Sequence, residues 1–188
     1  VRRIQEYGLQ VMGGFIVGFD NDTTSIFERQ IDFIQRSGIV TAMVGMLQAP
    51  YGTQLYQRMR EEGRLVCELS GDNADGSTNI VPRMGIEVLT EGYKKIMREL
   101  YSPHTFYLRV KTFLTHYNPP KSPVHLEWQE IYAFLRSIWK LGILGKERGE
   151  YWRLFFWALW KYPQKFSLAI TMTIYGYHFR QVNALHGI

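Results

Sequence analysis

The run QVMGGFIVGF at residues 10–19, with its counterpart TAMVGML at residues 41–47, decides how the rest of the chain is read. Both runs are free of charge and are bounded by polar turn formers, as expected of short strands that a parallel sheet covers on both faces. Between them Ser25 and Glu28 have capping-box spacing, Phe27, Ile31 and Ile34 fall on one helical face, and Gly38 supplies a stop signal. Strand, helix and strand within about thirty residues make a βαβ unit, whose crossover is nearly always right-handed.

Upstream, residues 1–10 read as the end of a helix running straight into the first strand. With Val1 rather than Met at the start, this suggests that the chain opens inside a domain. Downstream, the turn containing Pro50 and Gly52 leads into a helix capped by Thr53, with Leu55 and Met59 turned inward. GDNADGST at residues 71–78 has no periodicity and reads as a loop leaving the sheet.

Beyond that loop the pattern is helical. The stripes are Leu89, Tyr93, Ile96 and Leu100; Phe106, Val110, Phe113 and Tyr117; Ile131, Leu135 and Ile138; Trp152, Phe155, Phe156 and Leu159; and Phe166, Ile170, Ile174 and Tyr177. Pro103, Pro119, Pro120 and Pro163 punctuate them.

An apolar fraction of 46% against 21% charged residues supports a folded core and excludes a disordered chain. The net charge of +5 is scattered among acids instead of gathered into a basic stripe, so nucleic acid is not an expected partner. Cys67 is the sole cysteine, which excludes an internal disulfide and a cysteine-rich metal site. His104, His116, His125, His178 and His186 have no metal-ligand spacing, so no metal ligand is expected within this chain. No catalytic acid or base stands out, and His178 in YGYHF is the histidine to test first.

No signal sequence and no apolar run of about 18 residues is visible, which makes the cytoplasm the expected location. YWRLFFWALWKYPQKF at residues 151–166 sets aromatic rings beside Arg153, Lys161 and Lys165. Core packing accounts for it, and so does peripheral contact with the inner membrane face, which would suit a lipid substrate.

The chemistry is expected at GFIVGFDND, residues 14–22, and MLQAPYGTQLY, residues 46–56. Both lie at the ends of parallel strands, where α/β folds build ligand sites. Strand glycines let a flat ligand approach the backbone, and an intervening Ile offers it an apolar face; crowded strands use glycine for packing alone. A phosphate-binding P-loop is disfavoured, because Gly18 is followed by FDNDTT with neither Lys nor further glycine.

Gly14-x-Ile16-x-Gly18 resembles the fifth-strand motif of radical S-adenosylmethionine enzymes, and residues 46–56 resemble their sixth strand with its Pro-x-Gly-Thr-x-Leu-Tyr turn. The family motif ends in Glu where this chain has Asn21. FERQIDFIQRSGI (27–39), NIVPRM (79–84), YSPHTFYLRVKTFL (101–114) and IYGYHFRQV (174–182) extend the likeness over nearly the whole chain. The group resembled is the cobalamin-binding radical S-adenosylmethionine family with a conserved carboxyl-terminal domain, of the hopanoid C-2 methylase type.

The resemblance implies an α/β fold: the last strands and helices of a partial TIM-like barrel over residues 1–66, then a family-specific α-helical domain over 67–188. It implies S-adenosylmethionine bound by Gly14, Ile16 and Gly18 and by the backbone of Met46, Leu47 and Gln48, with Ile16 packed on adenine. The 4Fe-4S cluster would be held by a C-x-x-x-C-x-x-C motif outside this chain, and cobalamin by a preceding domain, so the amino-terminal half of the same polypeptide is a required partner. The implied activity is methyl transfer to an unactivated carbon of a lipid or secondary metabolite, with this chain inert alone.

Tyr51, Asn79 and Arg83, with Asp72, Asn73 and Asp75, are the polar residues placed to reach a substrate cavity, although a solvated loop is the simpler account of residues 72–83 and a surface salt bridge explains Arg83 equally well. The alternative to an enzyme part is a non-catalytic helical module for interaction or membrane contact.

Overall fold

The structure, a computed structural model, describes residues 1–67, 76–119, 128–185 and 187. The expected βαβ unit is present: β1 (Gly13–Val17), α2 (Ser25–Ser37) and β2 (Ala42–Met46), following the short helix α1 (Arg2–Glu6). The strands pair in parallel with Ile16 opposite Gly45 and Val17 opposite Met46. Gly38 ends α2 in the left-handed conformation at φ 66°, which the absence of a Cβ permits. The capping box does not form: Thr24 occupies the cap without a side-chain bond, and Glu28 pairs with Lys95 across to the next layer.

Then come α3 (Gln54–Glu61), α4 (Ile86–Tyr101), α5 (Pro103–His116), α6 (Trp128–Ser137), a π-helical segment (Ile138–Ile143), α7 (Arg148–Lys161), a 3₁₀ turn (Pro163–Lys165) and α8 (Phe166–Leu185). Thr53 caps α3 as its sequence predicts, accepting from the Tyr56 N–H at 3.1 Å. Pro103 and Pro163 sit in the opening turns of their elements, where a missing N–H costs nothing.

Helices α2 and α4 cover the sheet face that carries Val17, Val44 and Met46, and α5, α7 and α8 extend the same core outward. The stripe Leu89, Tyr93, Ile96 and Leu100 is fully buried, as are Phe106, Val110 and Phe113. Of the three later stripes, those of α6 and α7 are rotated from their expected phase. In α6 Ile131 and Leu135 face solvent while Ser137 turns inward; in α7 the buried residues are Tyr151, Leu154 and Ala158, and Phe156 and Leu159 are exposed. So many rings crowd these helices that hydropathy alone does not fix which side is covered.

Arg109 of α5 is completely buried, and no pattern in the amino-acid order marks this arginine as a core residue. Its guanidinium donates to Gln35 Oε1 at 2.5 Å and Val40 O at 3.5 Å, and lies over the rings of Phe106 and Tyr101 at 5.1 and 5.6 Å. Desolvation pulls its pKa down to about 10.

Among the described residues the only strands in a sheet are this parallel pair, so the fold is a mostly helical α/β arrangement with no closed barrel. The expectation of strands covered on both faces is not met either. The second face is only partly covered: Gly14, Ile16 and Met43 are exposed there, while Gly45 is buried.

Candidate functional site

Alternation along β1 and β2 sorts the site residues by face. Phe15 and Val17, with Ala42, Val44 and Met46, point to the covered side; Gly14 and Ile16, with Met43 and Gly45, share the other side, which is exposed at all but Gly45. Ile16 is 48% exposed and Met43 55%, a large allotment of apolar surface for a sheet interior. A Cβ on Gly14 would meet nothing within 4 Å, so this glycine is not required by packing in the described structure. Gly18 is different. Its φ of 103° and the 2.8 Å approach that a Cβ would make to Leu89 both require glycine there.

The loop after β1 is held by a carboxylate one residue beyond the position the family motif leads one to inspect. Asp22 Oδ2 accepts from the backbone N–H groups of Gly18 and Phe19, both at 2.9 Å, whereas Asn21 is exposed. Short polar side chains bind local backbone readily, so Asp22 closes a turn that aims the strand end. Gln30 of α2 donates to the carbonyl of Ile16 at 3.0 Å and fixes the strand from the side.

Asp20, in the same loop, gathers arginines. Arg64 Nη2 lies 2.7 Å from Oδ1, Arg58 Nη2 3.2 Å from Oδ2, and Arg83 Nε 3.9 Å from Oδ1. The Arg64 hydrogen bond, aided by the charges of Arg64, Arg83 and Arg58, outweighs burial and holds the Asp20 carboxyl below the usual carboxylate range. Sequence reading missed this hub, since its members are scattered over more than sixty positions with no motif to link them.

After β2 the chain is latched to residues 77–79. Asn79 is buried, and its amide clasps Ala49: the Ala49 N–H donates to Oδ1 at 2.8 Å and Nδ2 donates to Ala49 O at 2.9 Å. The Thr78 hydroxyl donates to Leu47 O at 2.6 Å, and Gln48 Nε2 to Ser77 O at 3.1 Å. The Leu47 N–H donates to Val17 O at 2.8 Å. The side chain of Met46 is buried in the main core and that of Leu47 in a second cluster with Ala49, Met59 and Ile80, leaving backbone as their contribution at the strand end.

The structure thus places Gly18, Met46, Leu47 and Gln48 at the carboxyl end of a single strand pair, with Ile16 just before it and Gly14 near the start of β1, opposite Met43. Tyr51 stands exposed beyond it against Tyr56, with ring centroids 5.3 Å apart. Asn79 is occupied by the latch, and Arg83 is exposed near Asp20. Asp72, Asn73 and Asp75 lie outside the described residues, as do His125 and His186. Among the described residues no group of three or more His, Cys, Asp or Glu converges as a metal site.

Residues 53–186 match the family described as a domain of unknown function, DUF4070. The chain is 30% identical over 185 residues to an uncharacterised methyltransferase of Synechocystis sp. PCC 6803, covering 96% of this chain and 34% of that protein. It is 31% identical over 162 residues to the hopanoid C-2 methylase of Rhodopseudomonas palustris, covering 81% and 30%. A bacteriochlorophyllide d C-12(1)-methyltransferase of Chlorobaculum tepidum matches at 27% over 103 residues, 54% of this chain and 22% of that protein. The chain therefore spans about a third or less of the curated relatives it matches, and no solved structure matches it. With most of its length, from Thr53 through α8, falling within the match, the chain belongs to the DUF4070 family, which is found in cobalamin-dependent radical S-adenosylmethionine methylases.

Proposed function

We propose that this chain forms one wall of the S-adenosylmethionine site in a cobalamin-dependent radical methyltransferase, as the final strands of a partial barrel, and that its helices shape the substrate cavity. The observation that carries the reading is the exposure of Ile16 beside an unobstructed Gly14 on one side of the sheet, with Gly45 buried opposite Ile16. Parallel strands are almost always covered on both faces, so an open one invites further structure or a ligand. A branched apolar side chain between positions lacking a Cβ fits a flat purine, because ring contact and close backbone approach are both available.

On this reading Ile16 packs against adenine, Gly14 and Gly18 keep the approach clear, and the Met46 to Gln48 backbone meets the purine edge. Asp22 and Gln30 hold the strand end in register for that contact, and the latch from Asn79 to Ala49 fixes the second strand. When bound, S-adenosylmethionine with a 4Fe-4S cluster supplies one-electron chemistry and cobalamin carries the methyl group. The cluster and cobalamin would be held by the remainder of the polypeptide, whose length is supported by the share of each relative that this chain leaves uncovered.

Relatives named for a hopanoid and for a bacteriochlorophyllide support a large apolar substrate methylated on carbon. A cytoplasmic enzyme meeting such a substrate at the bilayer surface agrees with the exposed Phe156, Leu159 and Trp160 of α7 beside Arg153 and Lys161, Trp160 being 87% exposed. Among the described residues no helix is long and apolar enough to cross a membrane.

The test is Ile16→Asp in the full-length polypeptide prepared anaerobically. A buried charge against the ring should weaken S-adenosylmethionine binding by roughly tenfold or more, while Ile16→Val leaves it near normal. Equal affinity in the Asp variant would reject the site, and a full-length protein without cluster absorption or S-adenosylmethionine cleavage would return the chain to a non-catalytic helical module.

A further inference from the structure

A cavity of about 340 Å³ opens between the α6 and π-helical segment on one side and α8 on the other, and no residue of the sheet lines it. That volume lies at the small end of the range of about 300–1,000 Å³ typical of small-molecule sites. Ala133, Leu141 and Ile174 give it apolar walls, while Arg136 and Lys140 stand on its rim.

The two cations lie four positions apart on one continuous helical run, a spacing at which like charges repel. Among the described residues neither has a carboxylate within ion-pair distance. The acids nearest in sequence on the following helix are committed elsewhere: Glu147 holds Arg180 at 2.5 Å, and Glu150 holds Arg153 at 2.9 Å and His104 at 3.3 Å. The helix carrying Lys140 and Leu141 is widened into a π-helical segment, a geometry that recurs at ligand sites. It is fixed by the Trp152 indole donating to Gly142 O at 2.9 Å. An apolar cavity, two cations at its mouth without a carboxylate partner among the described residues, and an irregular helical wall together describe a receptor for an amphipathic anion.

We propose that this pocket binds one small molecule with an apolar body and a single phosphate or carboxylate. The body lies against Leu141 and Ile174, and the anion lies between Arg136 and Lys140. The site is separate from the strand-end face and does not depend on the methyltransferase reading.

The test uses the full-length polypeptide and three probes in calorimetric titration: decyl phosphate below its micelle concentration, 1-decanol and inorganic phosphate. Saturable one-to-one binding of decyl phosphate, at least about tenfold tighter than either fragment, is expected. An Arg136→Gln, Lys140→Gln double variant should lose about tenfold, and because both side chains are exposed its thermal unfolding should be unchanged. Ile174→Trp, which fills the apolar wall, should lower affinity for decyl phosphate and for decanol while leaving inorganic phosphate unaffected. Three results overturn the proposal: decanol binding as tightly as its phosphate, the double variant binding as tightly as the parent, or binding to anionic phospholipid vesicles with none to monomeric decyl phosphate, which would assign this face to a membrane.

Discussion

Gly92 of α4 lies flat against the Phe27 ring of α2, so close that a Cβ there would sit 2.2 Å from two ring carbons. This contact lets the two helices approach over the covered face of the sheet, and it makes a stripe of small size as decisive as the stripes of apolar residues around it. Gly176 of α8 does the same against Phe106 of α5, with a Cβ at 2.3 Å.

Replacing Gly92 by Ala should therefore destabilise the fold by about 1–3 kcal/mol despite the higher helix propensity of Ala. Gly14→Ala should change stability by less than about 0.5 kcal/mol, since the added methyl meets open space. Urea unfolding of the two variants side by side checks the contrast; equal losses would mean that the interhelical contact is looser than described.

Asn79→Ala should cost about 2 kcal/mol or more, because a buried backbone donor and acceptor of Ala49 both lose their partner. Asn79→Asp keeps an acceptor for the Ala49 N–H but removes the donor, so it should be intermediate above neutral pH. Hydrogen exchange at the Ala49 amide is the local readout, and protection that survives Asn79→Ala would show the latch to be dispensable.

The Asp20 hub makes a pH prediction with a definite sign. Its folded-state pKa is depressed, so the hub's stabilisation is complete above the unfolded carboxylate value of about 4 and is lost as pH falls through the lower folded value. Stability measured against pH should fall in that acidic window, and Asp20→Asn should flatten that part of the profile while lowering stability at neutral pH. A profile for Asp20→Asn parallel to the parent's would remove Asp20 from the account.

Arg109→Ala should be among the most damaging single changes, of order 3–5 kcal/mol, since it leaves a large void and orphans Gln35 Oε1. Arg109→Met should be much milder, because an apolar side chain of similar length fills the space without a charge to desolvate. Thermal unfolding of the pair separates packing from charge: similar large losses in both would show that the guanidinium's own contacts hold α5 to α2.

The strand-helix-strand unit, Thr53 as a cap, Gly38 as a stop and the buried stripe of α4 were all legible in the amino-acid order. Each depends on neighbours within a few positions, which local periodicity and capping chemistry encode. The likeness of Gly14-x-Ile16-x-Gly18 to a family motif was equally local. The capping box at Ser25 was not borne out, because Glu28 found a distant lysine instead.

What tertiary structure alone decided is of another kind. That Ile16 and Met43 share an exposed face follows from register, and register is a property of two strands. The phase of α6 and α7, the buried Arg109 and the arginines around Asp20 depend on which aromatic surface or charge arrives from elements dozens of residues away. Sequence by itself determined where the chain would be strand or helix and which family it resembles; packing decided which faces stay open, because burial is shared among distant segments and no one segment encodes it.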